Sequence, residues 1–401
     1  MKRVNRCIYA AIGVAALFFS GIVYAWSVLS VPIAAQFPEW TKAQLSMTFT
    51  ITMIFFCVGC TSGGFMIKNI KAGILIACSA VLYLLGFYAT SEVRSPVSLY
   101  LGFGVVCGFA SGLSYNAVIG TVGKWFPDKQ GLISGILLMG FGISSFITGK
   151  VFQALTAAQP ENWRRVFIWF GFAAAAVMIA TAFFIKKPDS DFRLPEAEQK
   201  KISSGEAEIT TAEMLKKPCF WLYYVWAVLL SAAGLALVSQ ASGVVLEVDE
   251  DISASTLATA VGIISVANGA GRVILGWAYD RFGRGLIMQT VNIAFIACAL
   301  VLALAIRLDS FALMIAGFVL GGLAYGGVTP TNSAFISSYF GMKNYPLNFS
   351  MINTNLIIAS FGSTVAGALY DAAESYFSTC MMIFTLATIG IFFSWRINYK
   401  K

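Results

Sequence analysis

SVANGAGRVILGWAYDRFGRG, residues 265–285, decides how this chain is read, because it sets Arg272 inside an apolar run. Between Ile252 and Ala278, Arg272 is the only charged residue. At about 1.5 Å per helical residue it falls roughly 12 Å before Asp280 and 30 Å after Ile252, within a bilayer and off centre toward the Asp280 side. A charge at that depth costs about 2.5 kcal/mol or more, so an intramembrane arginine marks a functional position by default. The structural alternative is a side chain that bonds helix carbonyls or snorkels to the nearer surface.

The surrounding composition supports a membrane setting. Of 401 residues, 58% are hydrophobic and only 11% charged, more than a soluble core requires. Twelve apolar spans follow, at about 8–36, 43–67, 72–91, 96–124, 131–158, 165–186, 218–246, 253–278, 285–306, 310–338, 346–370 and 376–396. The first, preceded by MKRVNRC, is too long for a cleaved leader and reads as an uncleaved helix. Of the 27 Lys and Arg, 20 fall in segments on the side of the N-terminus. Only Lys42, Arg94, Arg164, Arg165 and Arg307 fall on the other. The bias puts both termini in the cytoplasm and explains the net charge of +8 without any nucleic-acid partner.

Lys150, near the outer end of the fifth span, reads as a snorkelling side chain. All 19 acidic residues lie in loops or at span ends and the chain has no His, which removes the usual proton relay. Cys57 and Cys60 are spaced like metal ligands but sit mid-span and read as packing, so no metal or other cofactor is expected. No nucleophile–base pair or phosphate loop is present, so an enzyme is not expected either.

The polar stretch KKPDSDFRLPEAEQKKISSGEAEITTAEMLKKP, 186–218, reads as a cytoplasmic linker. It divides the chain into an N-terminal half, 1–187, a linker, 188–217, and a C-terminal half, 218–401. GFMIKNIKAG at 64–73 and GWAYDRFGRG at 276–285 lie 212 residues apart (276 − 64), each after the second span of its half. Six spans per half is an even number, so the halves are parallel repeats. The expected fold is an all-α membrane protein of two six-helix halves. Gly135, Gly140, Gly142 and Gly149 in span five, with Gly362 and Gly367 in span eleven, read as close helix contacts.

The loop at Gly276, Asp280, Arg281, Gly283 and Arg284, with twelve spans and a long central linker, resembles the major facilitator superfamily. By that resemblance Asp280, Arg281 and Arg284 latch helices at the cytoplasmic face, although they also suit plain positive-inside anchoring. The first-half copy carries Lys68 and Asn69 where the family has Asp and Arg. Within the superfamily, GIVYAWSVLSVPI at 21–33, GLSYNAVIGTVGKWFPDKQGLISG at 112–135 and NGAGRVILGWAYDRFGR at 268–284 are similar to the oxalate/formate antiporter family. The resemblance implies that Arg272 binds a substrate carboxylate in a central cavity, a task that suits a planar, permanently charged fork.

Oxalate exchangers of that family pair the arginine with a lysine in span eleven, and Asn355 stands at that position here. One fixed cation matches one carboxylate, which points to a monocarboxylate such as formate, acetate, lactate or pyruvate. An oxalate:formate antiporter and a carboxylate-sensing receptor are the alternatives. Tyr24 and Tyr115 match the family's cavity aromatics, while Trp26, Asn116, Tyr325, Asn332 and Asn353 are weaker cavity candidates for which helix packing is an equal reading. GGLAYGG, 321–327, implies a roomy or flexible wall in span ten. A monomer in the bacterial inner membrane completes the expectation.

Overall fold

A computed structural model describes residues 6–40, 42–156, 159, 162–188 and 208–399. Residues 189–207, most of the linker, lie outside that set, as do Lys2, Arg3, Lys400 and Lys401 of the charge count. Among the described residues, twelve helical spans are long and apolar enough to cross a membrane. They run Arg6–Ala25, Met47–Met66, Ala72–Ser91, Pro96–Trp125, Gln130–Thr156, Trp163–Phe184, Pro218–Val248, Thr259–Phe282, Arg284–Arg307, Phe311–Phe340, Tyr345–Ala373 and Phe377–Ile397.

Local chemistry starts and stops these helices. Ser95 and Ser98 form a capping box across the first turn that Pro96 opens, and Ser253 accepts from the Thr256 amide at 3.2 Å to open the helix that carries Arg272. That helix extends from Ala254 to Phe282, so Asp280 stands in its last turn rather than in a loop. Gly283 (φ 80°) ends it and Gly341 (φ 78°) ends span ten, both in backbone territory that only glycine occupies without strain.

Three spans are less regular than their apolar runs suggest. Span one is α-helical to Ser20, turns 3₁₀ over Gly21–Ala25 and restarts as the short helices Trp26–Leu29 and Val31–Gln36. Span four holds a π-helical stretch at Tyr100–Cys107. Span eleven is three helices, Tyr345–Asn353, Asn355–Ala359 and Phe361–Ala373, interrupted at Thr354 and Ser360.

The chain folds as two compact units that do not follow its halves strictly. Unit 1 comprises Met1–Asp128, Ile136–Glu208 and Met342–Asn353, and unit 2 comprises Lys129–Gly135, Ile209–Gly341 and Thr354–Lys401. In unit 1, Arg6 and Asp128 form a bidentate ion pair at 2.6 and 3.1 Å, joining the start of span one to the turn before span five. In unit 2, spans eight and ten pack backbone to backbone. A Cβ on Gly271, Gly322 or Gly326 would strike the carbonyl of Leu323, Ile264 or Asn268 respectively.

This packing corrects the expectation for span ten. Gly321, Gly322, Gly326 and Gly327 are each filled against by Leu237, Ala267, Asn268 or Leu275, so GGLAYGG is a tightly packed seam and not a roomy wall. Of the glycines expected at close contacts, Gly135, Gly140, Gly149 and Gly362 do meet neighbours, whereas a Cβ on Gly367 would meet only Gln240, at 3.7 Å.

Candidate functional site

In unit 2, Arg272 sits mid-helix with 9% of its surface exposed. Its Nε donates to Asn268 Oδ1 at 2.8 Å, one helical turn earlier on the same face. Asn268, itself 7% exposed, is a residue that sequence reasoning missed, although an Asn four positions before a buried Arg was there to be read. A neutral amide satisfies the Nε–H while leaving the positive charge in place, which a carboxylate at that position would cancel. Glycines bring two further helices onto this turn. A Cβ on Gly135 would strike the Arg272 carbonyl, and one on Gly326 would crowd the Arg272 amide at 3.0 Å.

Tyr325 links this turn to span eleven. It lies within electrostatic reach of Arg272, its ring covers Gly234, and it packs on the cluster of Ala232, Leu235 and Ala359. Ala359 closes the short helix that Asn355 opens, and Asn355 is fully buried. Beside the break at Thr354, the Thr354 and Tyr224 hydroxyls lie 3.0 Å apart. Tyr325 therefore lies between Arg272 and the cluster that includes Ala359. Asn332 is not part of this chain of contacts: its Oδ1 accepts from Tyr223 at 2.9 Å, a bond between spans seven and ten.

Unit 1 gathers aromatic candidates around Phe141. Tyr24 and Tyr115 meet its ring at 5.1 and 5.2 Å, and Tyr115 also contacts Phe56 and stacks on Phe349. Trp26 donates to the Leu45 carbonyl at 3.0 Å and packs on Phe103. Asn116, fully buried, donates to the Pro346 carbonyl at 2.8 Å, and the Asn353 carbonyl accepts a weak bond from Cys57 at 3.5 Å. Lys150 is exposed and lies 6.0 Å from the Phe146 ring.

The three charged residues expected to form a latch make different contacts. Asp280 accepts from the Gly131 and Leu132 amides, both at 2.8 Å, so its carboxylate caps the N-terminus of the Gln130–Thr156 helix. Helix N-termini carry orphan N–H groups and a partial positive charge, and a carboxylate satisfies both. Arg281 instead lies over the Trp277 and Phe282 rings at 5.6 Å. Arg284 covers Tyr339 at 4.4 Å and donates to the Ile397 carbonyl.

A family model described as Major Facilitator Superfamily matches residues 10–354 and again 229–400. The oxalate:formate antiporter of Oxalobacter formigenes is 24% identical over 402 residues, spanning 96% of this chain and 93% of its own length. Monocarboxylate transporter 12 of Xenopus laevis is 24% identical over 233 residues, 55% of this chain and 50% of that protein. Among solved structures, the proton:xylose symporter XylE bound to 6-bromo-6-deoxy-D-glucose aligns with a TM-score of 0.72 at 14% identity, over 98% of this chain and 94% of that one, a likeness of fold alone.

Proposed function

The chain belongs to the Major Facilitator Superfamily, and from that premise we propose that it carries a small organic anion with one carboxylate, of the formate, acetate, lactate or pyruvate type. It works by alternating access in the bacterial inner membrane, with both termini cytoplasmic. The observation that supports this most is Arg272, a buried guanidinium whose described side-chain partner, Asn268, is neutral.

In this reading the arriving carboxylate supplies the charge that completes the site. Carrying a buried cation through the occluded state costs several kcal/mol unless an anion accompanies it, so the loaded carrier reorients faster than the empty one. Anion exchange follows from that asymmetry. Anion–proton symport is less well supported, because neither Asn268 nor Asn355 titrates. Asn355 gives the second end of the substrate an amide instead of a cation, and Tyr325, in the same unit, shapes the space beside Arg272.

The second reading is oxalate:formate exchange, favoured by the full-length match to that antiporter. Loading proteoliposomes with labelled lactate, formate or oxalate outside, with or without unlabelled anion inside, separates the two. Monocarboxylate uptake that needs internal anion supports the proposal. Uptake of oxalate in preference to every monocarboxylate overturns the charge matching, and uptake of no carboxylate overturns the function.

A further inference from the structure

The two copies of the repeated loop differ in what they do. Asp280 caps a helix, whereas the position 212 residues earlier (280 − 212) is Lys68, and no carboxylate replaces it there. The first segment of span eleven, Tyr345–Asn353, is held in unit 1 by other means. Asn116 bonds the Pro346 carbonyl, and Gly64 and Gly120 admit Leu347 and Pro346 against the helices that carry them. Lys68, a cation, is not suited to capping a helix N-terminus as Asp280 does.

It lines instead a groove of about 630 Å³ in unit 1, at the basic ends of spans three and six. Lys71, Lys186 and Lys187 share that lining, and no Asp or Glu stands among its described residues. Spans three and six close on each other where Gly73 meets the Ala182 carbonyl. Lys187 Nζ donates to the Ile67 carbonyl at 3.2 Å, which ties the segment after span six to the turn before span three. Along the helices the groove continues as apolar surface, with Ile74 52% and Phe183 82% exposed. Four ammonium groups over one depression repel one another, and an anion placed among them relieves that repulsion.

We propose that this groove binds an anionic phospholipid, its phosphate held by Lys68, Lys71 and Lys186 and one acyl chain laid along Ile74 and Phe183. Basic pockets between spans at the cytoplasmic surface suit acidic headgroups, and the volume lies in the range of small-ligand sites. A free phosphate uses the lysines but leaves the apolar flank without a role. The site is independent of the transported substrate.

The test uses the full-length protein, purified and delipidated in a neutral detergent, with bound lipid counted by native mass spectrometry. Phosphatidylglycerol is expected to bind and to raise the unfolding temperature, phosphatidylcholine to bind far more weakly, and inorganic phosphate to leave the bound lipid in place. Each lysine near the membrane surface contributes about fivefold. Lys68→Gln with Lys186→Gln should therefore weaken phosphatidylglycerol about 25-fold. Lys68→Arg with Lys186→Arg should preserve it, and so should Lys216→Gln with Lys217→Gln, which lie outside the groove. Equal binding of phosphatidylcholine overturns the proposal, as does displacement by phosphate, which marks a free-anion site. Unchanged affinity in the double Gln variant overturns the assignment to this groove. Should that variant fail to fold, the comparison of lipids on the parent chain and the Arg pair still decides.

Discussion

Asn268→Asp places a carboxylate where a neutral amide now meets Arg272 Nε at 2.8 Å. The arginine then has a permanent partner of the same chemistry as the proposed substrate, and the two compete. Unit charges about 4 Å apart attract by about 4 kcal/mol at an effective dielectric of 20. The substrate forfeits much of that, so its apparent affinity should fall by roughly tenfold to a thousandfold. The adjacent guanidinium favours the ionised carboxylate, so the loss should persist across neutral pH. Counterflow of labelled anion over a range of concentrations reads the effect as a raised KM, with thermal unfolding as the check on folding. Asn268→Leu is the companion: it removes the acceptor but not the charge, leaves a buried N–H unsatisfied at about 1–3 kcal/mol, and should mainly lower stability. An Asn268→Asp protein that matches the parent in KM would refute the view that the charge on Arg272 must be left for the substrate.

Asn355→Lys restores a second cation at a fully buried position and should shift preference from lactate toward oxalate by tenfold or more, measured by competition in the same vesicles. Asp280→Asn leaves at most one oxygen for the Gly131 and Leu132 amides and removes the charge; a loss of about 1.5–3 kcal/mol at this helix start should appear as a lower unfolding midpoint. Arg281→Gln, over two aromatic rings and away from that cap, should change the midpoint by less than about 1 kcal/mol.

The twelve spans were legible because the bilayer imposes them: an apolar run of about twenty residues has few other uses. Their interruptions were not. Span eleven has no proline or glycine at Thr354 or Ser360, and the bonds beside its breaks, between Tyr224 and Thr354 and from Ser363 to the Leu235 carbonyl, involve groups that lie far off in sequence. Glycine in span ten misled for the same reason, since GGLAYGG looks empty until Asn268, Ala267 and Leu275 are found against it. The roles of Asp280, Arg281 and Arg284 could not be separated by sequence, because three charges in one loop satisfy anchoring and latching equally. Only the positions of the Gly131 and Leu132 amides distinguish Asp280. Arg272 itself was conspicuous from cost alone, and its partner at the preceding turn was hidden only by Asn being unremarkable in a helix.

The anchoring role of Arg272 is tested most directly by exchange in proteoliposomes loaded with one monocarboxylate and diluted into its labelled form. Parent protein should exchange. Arg272→Gln should lose the activity by at least a hundredfold while remaining folded, and Arg272→Lys, which keeps the charge but not the planar fork, should retain part of it. Exchange by Arg272→Gln at the parent rate and KM would contradict the reading.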